Sequence, residues 1–407
     1  MLATDDNLKE STMEDLIQKY QPACVEFLRT LIQTHSVNGV DDEAALAAKI
    51  QEQAIALDLS SRLIEAEVGR PNVYVGAEDQ FSNHDSMLFV AHGDTVPAGD
   101  TSKWTQEPFG AEIVNGKMFG RGALDCKGGI ATSLFALKIL EELGAGDKAK
   151  LLVGADEESG ADSKIGIRHV LDKGLAARGA VYTYGGNVTN ALTIGHRGVL
   201  RLWITAHGEA THSGSRDWQD GTKGASAIMA LMQLLVRIEE YHQSIATKEH
   251  PLFPGYRCVI TPTLLEGGSG ESLVPDVAKV LLDIRTLPDQ NNQQIVTDIQ
   301  ALLDECKTDK VSYELTIKND VPARLSNYND PFVRSAADML REVYGRTHVS
   351  FKGSGPANEA HMLIDGGIPT VVGFGPTGEG FHSRDEYADV ASVEQSLRAL
   401  VTLALSE

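Results

Sequence analysis

The chain has 407 residues, 42% of them hydrophobic, and a formal net charge of -21. That is enough apolar material for a large core divided between two domains, and no run approaches the ~18 uninterrupted apolar residues of a membrane span. The acidic balance repels phosphate backbones and anionic lipid surfaces with no basic cluster to offset it, which excludes nucleic acid and membrane as expected partners.

The first residues, MLATDDNLKESTMED, lack the basic and apolar regions of a secretory signal, so a cytoplasmic location is expected. Ser11 to Glu14 fits a capping box ahead of an amphipathic helix over 16–32, and a second helical pattern covers 44–57. Short apolar runs then alternate with helical segments: NVYVGA, SMLFVAHGD, a helix over 128–143, KLLVGADEES, a helix around 165–171, and AVYTYGG. This alternation predicts helices flanking a mixed, mostly parallel sheet.

From residue 196 the texture changes. LRLWITAHG alternates as a half-buried strand, 225–241 reads as a long helix, VITPTLLEGG and VAKVLLDIR as strands, 295–306 as a helix and VSYELTI as a strand. The order βαββαβ is that of the ferredoxin-like split unit. Helices over 331–344 and 359–364, the strand PTVVGFG and a last helix from Val393 resume the first texture. The prediction is an α/β protein whose catalytic domain is discontinuous, 1–195 and 319–407, with a ferredoxin-like domain inserted over 196–318.

Cys24, Cys126, Cys258 and Cys306 stand far apart with no CxxC pair, which argues against a disulfide framework and a thiolate zinc site. Any metal must be held by imidazole and carboxylate. Those groups recur where strands stop: His92 and Asp94 in HGDTVP, Asp125 in the glycine-rich GRGALDCKGG, and Glu157 and Glu158 in ADEESG. Ligands gather at strand carboxyl ends in open α/β sheets. With His382 in the loop GEGFHSRDE they form the donor set of a hydrolytic zinc or similar transition-metal site. Singly, each has an ordinary reading: a polar loop histidine, a glutamate pair at a helix start, an aspartate cap.

Together, HGDTVP, GRGALDCKGG, DEESG and FHSRDEY resemble, in order, the motifs of the co-catalytic zinc metallopeptidase family of acetylornithine deacetylase, succinyl-diaminopimelate desuccinylase, aminoacylase-1 and carboxypeptidase G. The resemblance spans about 92–387. It implies that His92 binds one metal with Asp94 holding its other ring nitrogen, that Asp125 bridges two metals, that Glu158 and His382 complete the second set, and that Glu157 is the general base. It also implies a cis peptide between Asp125 and Cys126.

In the inserted domain, GEATHSG matches the family's lid histidine, so that His212 donates to the developing oxyanion from the neighbouring subunit of a homodimer formed through this lid. Arg285 resembles an arginine that meets a substrate carboxylate, a salt bridge within the lid being the alternative. Ser272 stands where the family often has Asn, and GSGPANE, with Gly355 and Asn358, resembles a glycine-rich substrate loop. The activity implied is metal-dependent hydrolysis, with zinc, or cobalt or manganese, of an amide in an N-acyl amino acid or short peptide. A dipeptidase or carboxypeptidase, and a degenerate relative that binds without turnover, are the alternatives.

One motif is missing. The family's first metal takes a third carboxylate shortly before the strand into the lid, and alignment on HRG puts Gly185 or Gly186 there, with no Asp or Glu from Lys173 to Ala206. Tyr184 and Asn187 are the neutral groups nearby. The expectation is one firmly bound metal at Asp125, Glu158 and His382 and a weak site at His92.

Overall fold

The computed structural model of the chain describes residues 5–186 and 189–406. Two compact units emerge: Met1–Gly195 with Leu325–Lys352 and Asn358–Glu407, and His196–Arg324 with Gly353–Ala357. The second unit outlasts the expected boundary at 318 because the strand Ser312–Val321 stays paired with Gly198–His207 as far as Val321 opposite Val199. Residues 353–357 join it through Gly353 N–H to the Leu252 carbonyl, 2.7 Å, and Arg197 N–H to that of Ser354, 3.1 Å.

The first unit is built on a sheet ordered Ser61–Glu65, Pro71–Val75, Ala149–Gly154, Met87–His92, Gly179–Tyr182, Thr370–Val372, Ala191–His196. Its centre is parallel and its outer pairs antiparallel. Every residue of Met87–His92, Ala149–Gly154 and Gly179–Tyr182 is buried, as expected of parallel strands covered on both faces, which is why these segments read as continuous apolar runs. The helix Gly128–Glu142 is buried on nearly all sides. It enters close to a strand end: a Cβ at Gly129 would lie 1.9 Å from the Thr183 carbonyl oxygen, so only glycine fits.

The first helix spans Asp5–Gln33, so Ser11–Glu14 lies inside it rather than capping it. The chain is already helical before the serine. Also unforeseen is a small sheet ordered Gly378–Glu379, Tyr387–Asp389, Lys117–Phe119, Ile113–Val114. Its strands are only two or three residues long and carry no readable alternation.

The second unit has the sheet order Val259–Gly267, Val277–Thr286, Gly198–His207, Ser312–Val321, antiparallel throughout. The helices Ala227–Ile245 and Asn292–Cys306 pack on it, which is the ferredoxin-like arrangement. Leu200, Leu202, Ile204 and Ala206 alternate inward onto Leu231, Leu234, Ile299 and Leu303. Each such leucine or isoleucine contributes roughly 1.5–3 kcal/mol of transfer free energy on burial. Ser226 and Asn291 cap the two helices by accepting from the N–H groups of Met229 and Gln293.

Candidate active site

Three neighbouring parallel strands of the first unit stop together, with His92 opposite Gly154 and Val90 opposite Tyr182. Their exits carry His92 and Asp94, Asp156 to Glu158, and Tyr184. Asp156 has a left-handed backbone, φ 65°, and its carboxylate is held by Arg70 at 2.7 Å, Ser163 at 2.8 Å and Asn38 at 3.0 Å. That anchored bend turns the chain into the short helical turn Glu157–Ser159. The Glu157 and Glu158 N–H groups then donate to the Asp94 carboxylate at 3.1 and 2.9 Å.

Asp94 does more than the role expected of it. The His92 Nδ1 lies 3.0 Å from the Asp94 carbonyl oxygen, whereas the carboxylate is at 3.5 Å. The carboxylate also takes those two N–H donors and the Asn38 amide at 2.6 Å, so it fixes the acidic turn while flanking the imidazole together with the main chain.

Asp125 sits in the turn Ala123–Lys127, and the Asp125–Cys126 peptide is cis. Glu386, fully buried, accepts from the N–H groups of Gly122 at 3.1 Å, Leu124 at 2.9 Å and Asp125 at 3.2 Å, and pairs with Arg121 at 2.5 Å. Glu386 lies just before Tyr387–Asp389, which pairs with Lys117–Phe119, so the small sheet ties the loop of His382 to the loop of Asp125. Sequence reasoning missed Glu386, Arg121, Asn38 and Arg70. Arg121 and Glu386 lie inside the motifs GRGALDCKGG and FHSRDEY, whereas Asn38 and Arg70 left no signal.

These loops bring His382 Nε2 to 3.0 Å from Asp125 Oδ2 and 3.1 Å from Glu158 Oε1, while His92 Nε2 lies 2.8 Å from Asp125 Oδ1. Ligand atoms of Asp125, Glu158 and His382 fall within 4.8 Å of one another, as do those of His92, Glu157 and Glu158. Burial opposes ionisation of Asp125, but the imidazoles of His382 and His92 hold it down at about 2, and the Asp125 and Glu158 carboxylates push His382 up to about 10. Burial, with Glu158, Asp125 and Asp94 close by, pushes Glu157 up to about 8 against the pull of His92. Four carboxylates sharing two imidazoles form a cradle for a cation, and Asp125, Glu158 and His382 have the donor chemistry of a hydrolytic metal site.

Gly185 is not the residue facing His92. A Cβ there would lie 2.7 Å from both Leu124 Cδ2 and the Pro376 carbonyl oxygen, so the position holds no side chain. Tyr184 faces the site instead: its ring centroid is 5.6 Å from that of His92, and its hydroxyl donates to Glu157 Oε1 at 3.1 Å. Asn187 lies outside the described residues.

In the second unit, His212 and Ser272 share a two-stranded ribbon, with His212 paired to Leu273 and the Ser213 N–H donating to the Ser272 carbonyl. His212 is exposed, its Nδ1 accepting from Gly214 N–H at 3.0 Å. Arg285 makes a bidentate pair with Asp283 at 2.6 and 3.1 Å, so its guanidinium already has a carboxylate and the salt-bridge alternative holds. Gly355 lies so close to Tyr256 that a Cβ would come within 2.7 Å of the hydroxyl. Asn358, in the first unit, spends its side-chain oxygen on the Ala360 N–H at 3.0 Å, at the start of the helix Ala360–Asp365, because its side chain is buried there.

Comparison with known proteins agrees with this geometry. The family model described as peptidase family M20/M25/M40 matches residues 88–406. An N-formyl-4-amino-5-aminomethyl-2-methylpyrimidine deformylase of Halalkalibacterium halodurans is 27% identical over 355 residues, 82% of each chain. A succinyl-diaminopimelate desuccinylase of Methylorubrum populi is 27% identical over 366 residues, 86% of this chain and 89% of that one. Among solved structures, an M20 family metallo-carboxypeptidase of Sulfolobus solfataricus superposes with a TM-score of 0.73 at 18% identity, covering 94% of this chain and 97% of that one. Human carnosine dipeptidase 1 gives 0.67 at 16% identity, covering 97% and 98%.

Proposed function

The chain belongs to peptidase family M20/M25/M40, a family of metal-dependent hydrolases, and from that membership and the geometry of the site we propose that it cleaves the amide of an N-acyl amino acid or short peptide. The observation that carries the reading is the placement of Glu157: an enclosed carboxyl one residue from Glu158, at the edge of the Asp125, Glu158 and His382 trio. A divalent ion bound by that trio, zinc with cobalt or manganese as substitutes, supplies Lewis acidity that makes water a nucleophile at neutral pH and polarises the scissile carbonyl. Glu157 takes the proton that the attacking water loses and returns it to the departing amine nitrogen, so the carboxylate is regenerated. Asp94 keeps Glu157 and Glu158 in register through their N–H groups. Glu386 and Arg121 hold the Asp125 loop so that this ligand is in place before the ion arrives.

The two curated relatives are named for removing a formyl and a succinyl group, which favours a deacylase over a dipeptidase or carboxypeptidase. The intact trio and Glu157 disfavour a binding protein without turnover. On the His92 side Tyr184 is neutral, so one ion is held firmly and a second weakly. His212 keeps its role as an oxyanion donor supplied across a dimer; the helix Ala227–Ile245 exposes Met229, Met232 and Val236 along one face. The strand Val259–Gly267 is also the edge of its sheet, with Leu264 and Leu265 exposed. Light scattering on the purified chain and on Met232→Lys reads that assembly, with a monomeric wild type as the result against it. The functional test is a hydrolysis panel of N-acyl amino acids and dipeptides with added zinc, cobalt or manganese. Turnover of N-acyl amino acids supports the reading, and inactivity across the panel with all three metals overturns it.

A further inference from the structure

The two sides of the carboxylate cluster are built from different chemistry. On one side three ionisable donors converge. On the other, His92 is backed by two tyrosines: Tyr182 and Tyr184 stack with centroids 4.8 Å apart and planes at 19°. The Tyr182 hydroxyl donates to Glu359 Oε2 at 3.3 Å, and Glu359 is wholly enclosed, its other carboxyl oxygen having no partner among the described residues. Burial holds Glu359 well above the usual carboxylate range, so the pair anchors the stack without adding a charge. The stack in turn fixes the Tyr184 hydroxyl against Glu157 Oε1, next to His92.

We propose that Tyr184 is a catalytic hydrogen-bond donor that replaces a second metal ion: its O–H, held on Glu157 at rest, turns to the carbonyl oxygen of the scissile amide as that oxygen becomes anionic. The exchange is driven by the reaction itself. When Glu157 takes the proton from water it becomes a weaker acceptor, while the substrate oxygen becomes a stronger one. The phenol donates a hydrogen bond throughout and transfers no proton. When the carbonyl reforms and Glu157 gives its proton to the amine, the hydroxyl returns to the carboxylate.

This rests on the hydrolytic reading above, and two substitutions test it separately. Tyr184→Phe keeps the ring stack and is expected to lower kcat by about two to three orders of magnitude, the usual loss of one oxyanion donor, with KM and bound zinc unchanged. Wild-type kcat in Tyr184→Phe overturns the proposal. Tyr184→Glu places a carboxylate beside His92 and is expected to convert a chain that binds one zinc tightly into one that binds two, read by calorimetric titration and elemental analysis without any substrate. A wild type that already holds two zinc ions equally tightly, or a Tyr184→Glu chain that still holds one, overturns the claim that Tyr184 stands in for the second ion. Because the metal count needs no turnover, failure to find a hydrolysed amide would count against the functional reading alone.

Discussion

The second unit buries what burial favours. Its strands send Leu200, Leu202, Ile204, Val280, Leu282 and Ile284 inward, and its helices answer with Leu231, Leu234, Ile295 and Ile299. The first unit has the same kind of core beneath its sheet, but at the strand ends it encloses ionisable groups: His92, Asp94 and Glu359 are 0% exposed, Glu157 6% and Asp125 8%. Enclosing a charge costs several kcal/mol unless partners compensate, so a fold selected for stability alone would not gather these groups in one place. Asp94, Asp125 and Glu386 are compensated by N–H donors and imidazoles, whereas Glu157 has one phenol and Glu359 another. Compensation is thinnest at Glu157 and Glu359, and Glu157 is the one whose protonation changes in the proposed reaction.

That contrast predicts opposite outcomes for substitutions in the two units. The largest effect is expected from Glu157→Gln, which should lower kcat by about two to four orders of magnitude while thermal unfolding and metal content stay at wild-type values. Near-normal turnover would make its burial no different in kind from that in the second unit. Next, Glu386→Ala strands the Arg121 guanidinium and three N–H donors, and should cost about 3–5 kcal/mol of stability. Because the same donors set the Asp125 loop, zinc affinity should also fall about 10–100-fold. Denaturant unfolding with a zinc titration measures both, and lost stability at unchanged affinity would confine Glu386 to the fold.

Leu282→Ala sharpens the other half of the comparison. It removes a fully buried side chain from the second unit and should cost about 2–5 kcal/mol, with zinc affinity untouched. A parallel loss of zinc binding would show that the two kinds of burial are not separable. The smallest effect concerns Glu43, whose carboxyl burial raises from 4.5 to about 6, with help from Asp94 and Asp156 and against the pull of Arg70. A carboxyl with a raised folded pKa stabilises the fold while protonated, fully below pH 4.5, and that contribution is lost as pH rises through 6. Glu43→Gln should therefore gain on wild type by about 1–2 kcal/mol between pH 4.5 and 7, seen as a widening difference in unfolding temperature. A constant difference would mean that Arg70 compensates Glu43 in full.

Several of these features were legible in the chain and several were not. The six-residue apolar runs ending in His92-Gly-Asp94 and Asp-Glu-Glu marked strand ends because fully covered parallel strands have no polar face, and the βαββαβ order of the second unit followed from period alone. The roles of particular atoms did not follow. Motif spacing set Asp94 beside the His92 ring but says nothing about which N–H groups two loops away its carboxylate will also accept. Gly185 looked like the vacant ligand position because an alignment anchored on HRG counts residues, whereas the space around Gly185 is filled by Leu124 and Pro376 and the preceding side chain takes the position. For Arg285 the sequence left a substrate carboxylate and a salt bridge within the domain both open, because a partner two residues away on the same strand, Asp283, lies on the same face only once the strand is formed.

The sequence by itself determined the fold class and the order of elements in the second unit, since hydrophobic period and turn residues are local properties, and it carried every donor that can hold an ion. Tertiary structure alone decided which donors meet. The carboxylates of Asp125 and Glu158 and the imidazole of His382 come from segments far apart in the chain, and their separation of about 3 Å depends on strand register, on the bend at Asp156 and on a small sheet whose strands are too short to announce themselves. The same holds for Tyr184. Its residue type is written in the chain, but the role proposed for it follows from the direction in which a stacked ring points its hydroxyl, and that is set by packing against Tyr182 and not by its neighbours in sequence.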